Sequence, residues 1–498
     1  MTRARDARCL SARDDTAAPS LIATRVARLP GRRARDVNPT SQAESVVRLA
    51  RLMRRCLTTV AFTAGACVML ASQPVRAEDA SLVEGRIPSH LSLAGALAIF
   101  RAHGFDLLLA EAAEDSAHGD LERAQAFPNP VVSGAGGHTF TYDPGRCESA
   151  GCSATQVSAS VSDQGLLFDL MVGKRRLAID VARAALDAAH LSRADAERTL
   201  AALLKQQYVQ TVSARATVQL ARDLAANAAR TSELVGKRRH AGEVSEADAA
   251  RAETSKLEAE QAVDVAEQTL AVAYAQLAFL LGVRGVAPPF EVDERLPPVA
   301  GAGAAARAGD VETLVDLARR QRPDLAAADA EVRSTEAALT LARRQRLPDV
   351  SLVASYQQEG HGQEAIQPPT FGLGLSLPLP VLYRNAGEIT KAETALRAQR
   401  LLRDKLEAQV VADVRAASAA FTSARTRVAR MEDRLLERAG KARDLVAYQY
   451  EKGAVSLLER LDSERTFAAV NAEYLQALDD FWSARYQLEQ AIGGDLPA

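Results

Sequence analysis

Aromatic residues are scarce in this 498-residue chain, at 4%, and the apolar runs are short. The run Leu57 to Leu70 holds about 14 residues, below the ~20 that a helix needs to cross a bilayer. Catalytic spacing is absent: there is no HxxxH, HxxEH, GxSxG or P-loop pattern, and the seven His scatter between His90 and His361. Met53, Met69, Met171 and Met431 are too dispersed for a soft-metal relay. No catalytic, cofactor or resident metal residues are expected, so the chain does not read as an enzyme. Cysteine is rare. Of five, Cys9, Cys56 and Cys67 lie near the N-terminus, leaving Cys147 and Cys152. A lone pair five positions apart reads as a loop disulfide if the chain is exported, the rival being half a metal site with no His beside it. From Glu78 onward there are 47 basic and 58 acidic residues, a balance that disfavours nucleic acid as a partner.

What is present begins with an address. Met53-Arg54-Arg55, the apolar run and Gln73-Pro74-Val75-Arg76-Ala77 form the three zones of a secretory signal peptide, residues 53–77. Residues 1–52 are an Arg-rich extension without periodicity, expected to arise from an upstream start or to be disordered. Ala64-Gly65-Ala66-Cys67 loosely suggests a lipoprotein cleavage site but lacks the usual Leu, so acylation of Cys67 stays open.

Proline and glycine then mark out the body. Residues 173–240 and 385–450 contain no proline and little glycine; they are rich in strong helix formers and predict two rods of roughly 100 and 95 Å. Each ends in a similar turn, His240-Ala241-Gly242-Glu243-Val244-Ser245 or Glu451-Lys452-Gly453-Ala454-Val455-Ser456. Glycine suits the left-handed cap. Ser456 with Glu459 forms a capping box, and Ser245 with Asp248 a variant of it, so return helices are expected over 245–282 and 456–492. Short period-2 stretches precede each rod: Val157, Ala159 and Val161 alternate with serines, and Phe371, Leu373, Leu375 and Leu377 with Gly and Ser. Strands are therefore expected at about 131–142, 154–169, 350–357 and 370–378.

The order recurs. Gly242 and Gly453 are 211 residues apart, as are Gly282 and Gly493, while Ala185 and Ala395 are 210 apart. The chain reads as a duplication, with a first repeat over 78–287, a Pro/Gly/Ala linker over 288–310 and a second repeat over 311–493. Four strands with an apolar face cannot close a barrel, and open edges are not tolerated in lipid. If the strands span a membrane, several copies must pool them.

This whole order resembles the TolC-type outer membrane factors of Gram-negative bacteria, over roughly Leu91 to Gly493. Phe127-Pro128-Asn129-Pro130, Gly173-Lys174-Arg175 and Leu377-Pro378-Leu379-Pro380 followed by Arg384-Asn385-Ala386-Gly387 resemble the CzcC-like heavy-metal branch. The resemblance implies a mostly α fold with a small β part. Duplicated long-helix hairpins would form a trimeric α-barrel tunnel, with four strands per protomer completing a 12-stranded transmembrane β-barrel. It implies a homotrimer in outer-membrane lipid, with a periplasmic tunnel coupled through a membrane fusion adaptor to an inner-membrane RND-type pump. The expected role is passive export, most simply of divalent heavy-metal cations. Alternatives are drugs or secreted polypeptides through the same fold, or a soluble periplasmic coiled-coil scaffold.

The resemblance also implies adaptor docking at the tips: Gly242, Glu243, Val244 and Ser245, with Gly453, Ala454, Val455 and Ser456. It places acidic residues of the periplasmic aperture at Glu459 and Asp462, with Tyr448 and Tyr450 in contacts that hold the entrance shut. For each, a plainer reading as cap or solvated surface stands beside it.

Overall fold

The computed structural model describes residues 87–140, 154–293, 296, 310–359 and 369–496. The signal peptide, the Arg-rich extension, Cys67, the Cys147/Cys152 pair and most of the linker lie outside them. In chain order the first half contains β1 (His90–Leu91), α1 (Leu93–His103), α2 (Phe105–Gln125), β2 (Val131–His138), β3 (Thr155–Ser162), α3 (Leu166–Val172), α4 (Lys174–His240) and α5 (Glu246–Leu280). The second contains β4 (Glu291–Val292), α6 (Val311–Gln321), α7 (Pro323–Arg344), β5 (Ser351–Glu359), β6 (Thr370–Ser376), α8 (Ala386–Arg430), a π-helical turn (Met431–Leu435), α9 (Leu436–Glu451) and α10 (Leu457–Ile492).

The two halves meet in one antiparallel sheet of order β2-β3-β5-β6. Its register sorts the side chains. Val132, Val161, Ala354, Leu373 and Leu375 fall on one face, and Ser133, Ser160, Ser355, Gly372 and Ser376 on the other. The apolar face is solvent-open in the single chain; Leu373 is 82% exposed. Aromatic pairs lie toward the end of the sheet away from the rods: Tyr356 meets Phe371 at a tilt at 5.3 Å, and His138 meets Phe140 edge-on at 5.4 Å. The four strands hold seven to nine residues each, roughly 23–30 Å along the strand, which a tilt of about 40° reduces to about 18–23 Å, a little under the ~25 Å apolar band of an outer-membrane barrel.

β3 is shorter than the expected 154–169. Asp163 ends it: its carboxylate accepts from the backbone N–H groups of Gly165 (3.0 Å), Leu167 (3.3 Å) and Leu352 (2.8 Å), and Gly165, at φ 86°, turns the chain into α3. β1 and β4, a parallel pair of two-residue strands, have no counterpart in the sequence pattern.

The rods carry the core in two duplicated clusters. One gathers Leu91, Phe100, Leu204, Tyr208, Leu277 and Leu281; the other Leu314, Val414, Phe421, Phe481, Leu488 and Ile492. Where each return helix ends, its cap glycine presses on the end of the helix that opens the repeat. A Cβ on Gly282 would stand 2.0 Å from the His103 carbonyl, and one on Gly493 3.1 Å from the Arg322 nitrogen.

One expectation needs correction: the second rod is not a continuous α-helix. Buried pairs in its upper part, Leu204 with Val414 and Val218 with Val428, keep a spacing of 210, whereas the turn glycines are 211 apart. The second rod thus holds one more residue below Val428, and the π turn at Met431–Leu435 lies there. Bonding i to i+5 takes up the extra residue without rotating the faces above and below it.

Above that turn, a buried ionic knot ties four helices. Arg322, 7% exposed, donates to Asp324 (2.6 Å), Asp413 (3.4 Å) and the Ala491 carbonyl (3.3 Å), while Arg198 pairs with Asp195 (2.5 Å). Burial would raise the Asp324 carboxyl, but the Arg322 guanidinium holds it below the usual carboxylate range. A depressed folded-state value contributes stability above the unfolded value and loses it as pH falls through the folded one. Arg322→Met should cost about 3–5 kcal/mol, chiefly by stranding the largely buried Asp324 carboxylate, seen as a lower unfolding midpoint of the purified protein. The deficit should shrink as pH drops below about 4.

Candidate functional site

The turn of each hairpin is built by the same chemistry. At the first, Gly242 takes φ 78° and donates to the Arg239 carbonyl (2.9 Å), and Glu243 donates to Arg238 (2.9 Å). At the second, Gly453 takes φ 74° and donates to Tyr450 (3.0 Å), and Ala454 to Gln449 (2.9 Å). Only glycine adopts that conformation without strain. No atom lies within 4 Å of where a Cβ would sit on either glycine, so backbone conformation rather than crowding demands them.

The return helices start on side-chain caps. Ser456 Oγ accepts from the Glu459 N–H (3.3 Å) and Glu459 Oε2 from the Ser456 N–H (2.8 Å), a complete capping box. In the first hairpin Ser245 accepts from the Asp248 N–H (3.1 Å) and donates to its carboxylate (2.8 Å), so the reciprocal half is missing.

The tips of the two hairpins touch. Val235 and Ala252 of the first bury against Tyr450, Leu457 and Leu461 of the second, with Val244 and Val455 packed at the edge. Tyr450 is 3% exposed, and its ring lies between two guanidinium groups, Arg238 at 4.8 Å and Arg460 at 5.1 Å. Arg238 also donates to the carbonyls of Tyr450 (3.3 Å) and Glu451 (3.1 Å). Arg460 reaches back to Thr231 Oγ1 (3.0 Å) and pairs with Glu464 (3.3 Å). A polar clamp therefore fastens the end of α9 to α4.

The expected residues separate accordingly. Gly242, Glu243, Ser245, Gly453, Ala454 and Ser456 are exposed around the turns, while Val244 and Val455 are half-buried. Tyr450 sits inside the contact between hairpins; Tyr448 does not, being 60% exposed with Lys452 Nζ 5.5 Å above its ring. Glu459 and Asp462 are exposed on α10, and within one chain Glu459 is a cap. Sequence reasoning misses Arg238, Arg460 and Thr231. Arg238 stands in a basic last turn, Lys237 to His240, which reads as ordinary dipole complementation; nothing local says that it crosses to a residue 212 positions away. Among the described residues no three His, Cys, Asp or Glu side chains gather closely enough to hold a metal ion.

The chain matches the family model described as "Outer membrane efflux protein" over residues 98–283 and 314–494. It is 24% identical over 409 residues to the cobalt-zinc-cadmium resistance protein CzcC of Cupriavidus metallidurans, covering 81% of this chain and 90% of that one. It is 26% identical over 329 residues to the pyoverdine export outer membrane protein OpmQ of Pseudomonas aeruginosa, covering 65% and 67%. Among solved structures, CusC matches with a TM-score of 0.66 at 19% identity, covering 81% of this chain and 92% of that chain. The outer membrane protein VceC of Vibrio cholerae matches at 0.63 and 19%, covering 81% and 96%.

Replacing Ser456 by Ala should cost about 1 kcal/mol at the start of α10. Hydrogen exchange of the amides at 457–460 should speed up, while the equivalent amides of α5 stay unchanged.

Proposed function

The chain belongs to the outer membrane efflux protein family, and from that premise we propose that three copies assemble into an exit duct for divalent heavy-metal cations. As a member of that family it is an outer-membrane efflux channel with a periplasmic helical tunnel, a duct rather than an enzyme; the soluble-scaffold alternative falls. The carrying observation for assembly is a four-stranded sheet divided into apolar and Ser/Gly faces, with β2 and β6 each paired on one side only. In lipid an unpaired edge is costly. Three copies joined β6 to β2 give a 12-stranded barrel with the serine face toward a wet lumen.

Similarity to CzcC, a protein named for cobalt, zinc and cadmium resistance, supports the cargo. Similarity to OpmQ, named for pyoverdine export, supports the rival, an organic cargo. A strain lacking this protein, grown on cobalt, zinc and cadmium and on a panel of drugs, separates them: selective metal sensitivity is expected, and drug sensitivity alone would overturn the assignment.

At the opposite end, the open turns around Gly242 and Gly453 receive the helical hairpins of a membrane fusion adaptor, which couples the duct to an RND-type inner-membrane pump. The exposed turn surface supports this reading. Glu459 and Asp462, repeated three times, ring the periplasmic aperture and favour cations, since crowded carboxylates repel one another unless cations intervene. The Arg238–Tyr450–Arg460 clamp holds the entrance closed. Arg238→Ala removes a cation–π contact and two charged hydrogen bonds, worth at least about 2 kcal/mol together, and should raise the open population roughly thirtyfold or more, read as higher conductance in planar bilayers. Glu459→Gln with Asp462→Asn should lower the cation preference measured from reversal potentials; an unchanged preference places the selective ring elsewhere.

A further inference from the structure

Below the sheet, where strands give way to rods, four chain segments are stitched together at one level. Asp163 joins the start of α3 to β5 through the N–H groups of Gly165 and Leu352. Lys174, 7% exposed, pairs with Asp349 and donates to the Leu347 carbonyl (2.7 Å), and Asn385 donates to the Gln345 carbonyl (2.8 Å). These segments border a cleft of 410 Å³. The level is fixed by the fold.

Its outer surface is apolar and uncovered in the chain. Leu379 is 69% exposed, Val381 74% and Leu382 100%, in a stretch whose Pro378 and Pro380 exclude helix. At the matching step after β3, α3 turns out Leu167, Leu170 and Met171, the last 85% exposed, which at i, i+3 and i+4 lie on one face. The sequence alternation of Leu373 and Leu375 on the apolar sheet face runs on through Leu377 and Leu379.

Exposed arginines flank these segments along the chain. Arg176, Arg344, Arg346 and Arg384 make no ion pair among the described residues. Of the carboxylates in these segments, Asp163 is engaged by backbone N–H groups and Asp349 by Lys174, Asp169 lines the cleft beside Asp349, and Glu388 is exposed four residues after Arg384. An apolar ledge continuous with the lipid face and edged by unpaired guanidinium groups matches acyl chains capped by phosphate, because arginine binds phosphate oxygens bidentately and snorkels from an apolar base.

We propose that this junction is a binding surface for anionic phospholipid of the periplasmic leaflet, the ledge seated in the acyl region and the arginines on the headgroup phosphates. The proposal rests on the strands spanning the outer membrane. Basic residues at an anionic membrane surface gain roughly fivefold each in binding.

The test uses the intact protein in detergent. It is incubated with equal amounts of phosphatidylglycerol and phosphatidylcholine of identical chains, and retained lipid is counted by native mass spectrometry. Wild type should retain phosphatidylglycerol several-fold over phosphatidylcholine. The triple variant Arg176→Gln, Arg346→Gln, Arg384→Gln should retain both alike. Equal retention by wild type overturns the proposal while leaving membrane insertion intact; retention of neither lipid overturns the membrane reading as well. In nanodiscs of brominated phosphatidylglycerol, Leu382→Trp should add an indole that is quenched relative to the single native Trp482. If the indole added by Leu382→Trp stays unquenched, shielded by a second copy of the chain, that overturns it too.

Discussion

A backbone N–H or C=O that meets hydrocarbon instead of a partner costs several kcal/mol, and this constraint shapes the molecule. Each chain supplies a sheet with both outer edges open, so the fold is finished only by something that pairs them. The same constraint explains why the strands are short and end sharply. Asp163 stops β3 with three backbone hydrogen bonds, handing the chain to helices whose groups are satisfied internally. The wall is apolar on one face and lined by serine and glycine on the other, as a lipid-bound wall around a wet passage must be.

The tunnel end obeys a different rule. There, the long rods need no edge partner, and what matters is whether neighbouring hairpins adhere. They do so through a small apolar cluster and one aromatic ring held between two guanidinium groups. The contact is local and partly wet. That junction is small beside the ionic knot around Arg322 and the larger clusters of Phe100 and Phe481.

Much of this is legible in the residues because helix, strand and turn depend on local chemistry. The lack of proline marks the rods, alternation at Val157–Val161 and Phe371–Leu377 marks strands, and the spacing of turn glycines exposes the duplication. The pairing of Arg238 with Tyr450 is not legible, since it joins residues 212 apart on surfaces that either helix could have turned elsewhere. Tyr448 and Tyr450 look alike in the sequence, yet two residues on a helix are about 200° apart, so only one could face the neighbour. The β1–β4 pair is two residues long, too short to leave an alternation.

The π turn at Met431–Leu435 is half visible, as a spacing that slips from 210 to 211. In an α-helix, losing one residue swings everything beyond it by about 100° and takes buried faces out of the core. At the π turn the surplus residue can be dropped and the coil reverts to ordinary winding, with Phe421 above and Tyr450 below still pointing inward. That short segment is where the second rod can shorten without derailing, a slack link in an otherwise inextensible pole.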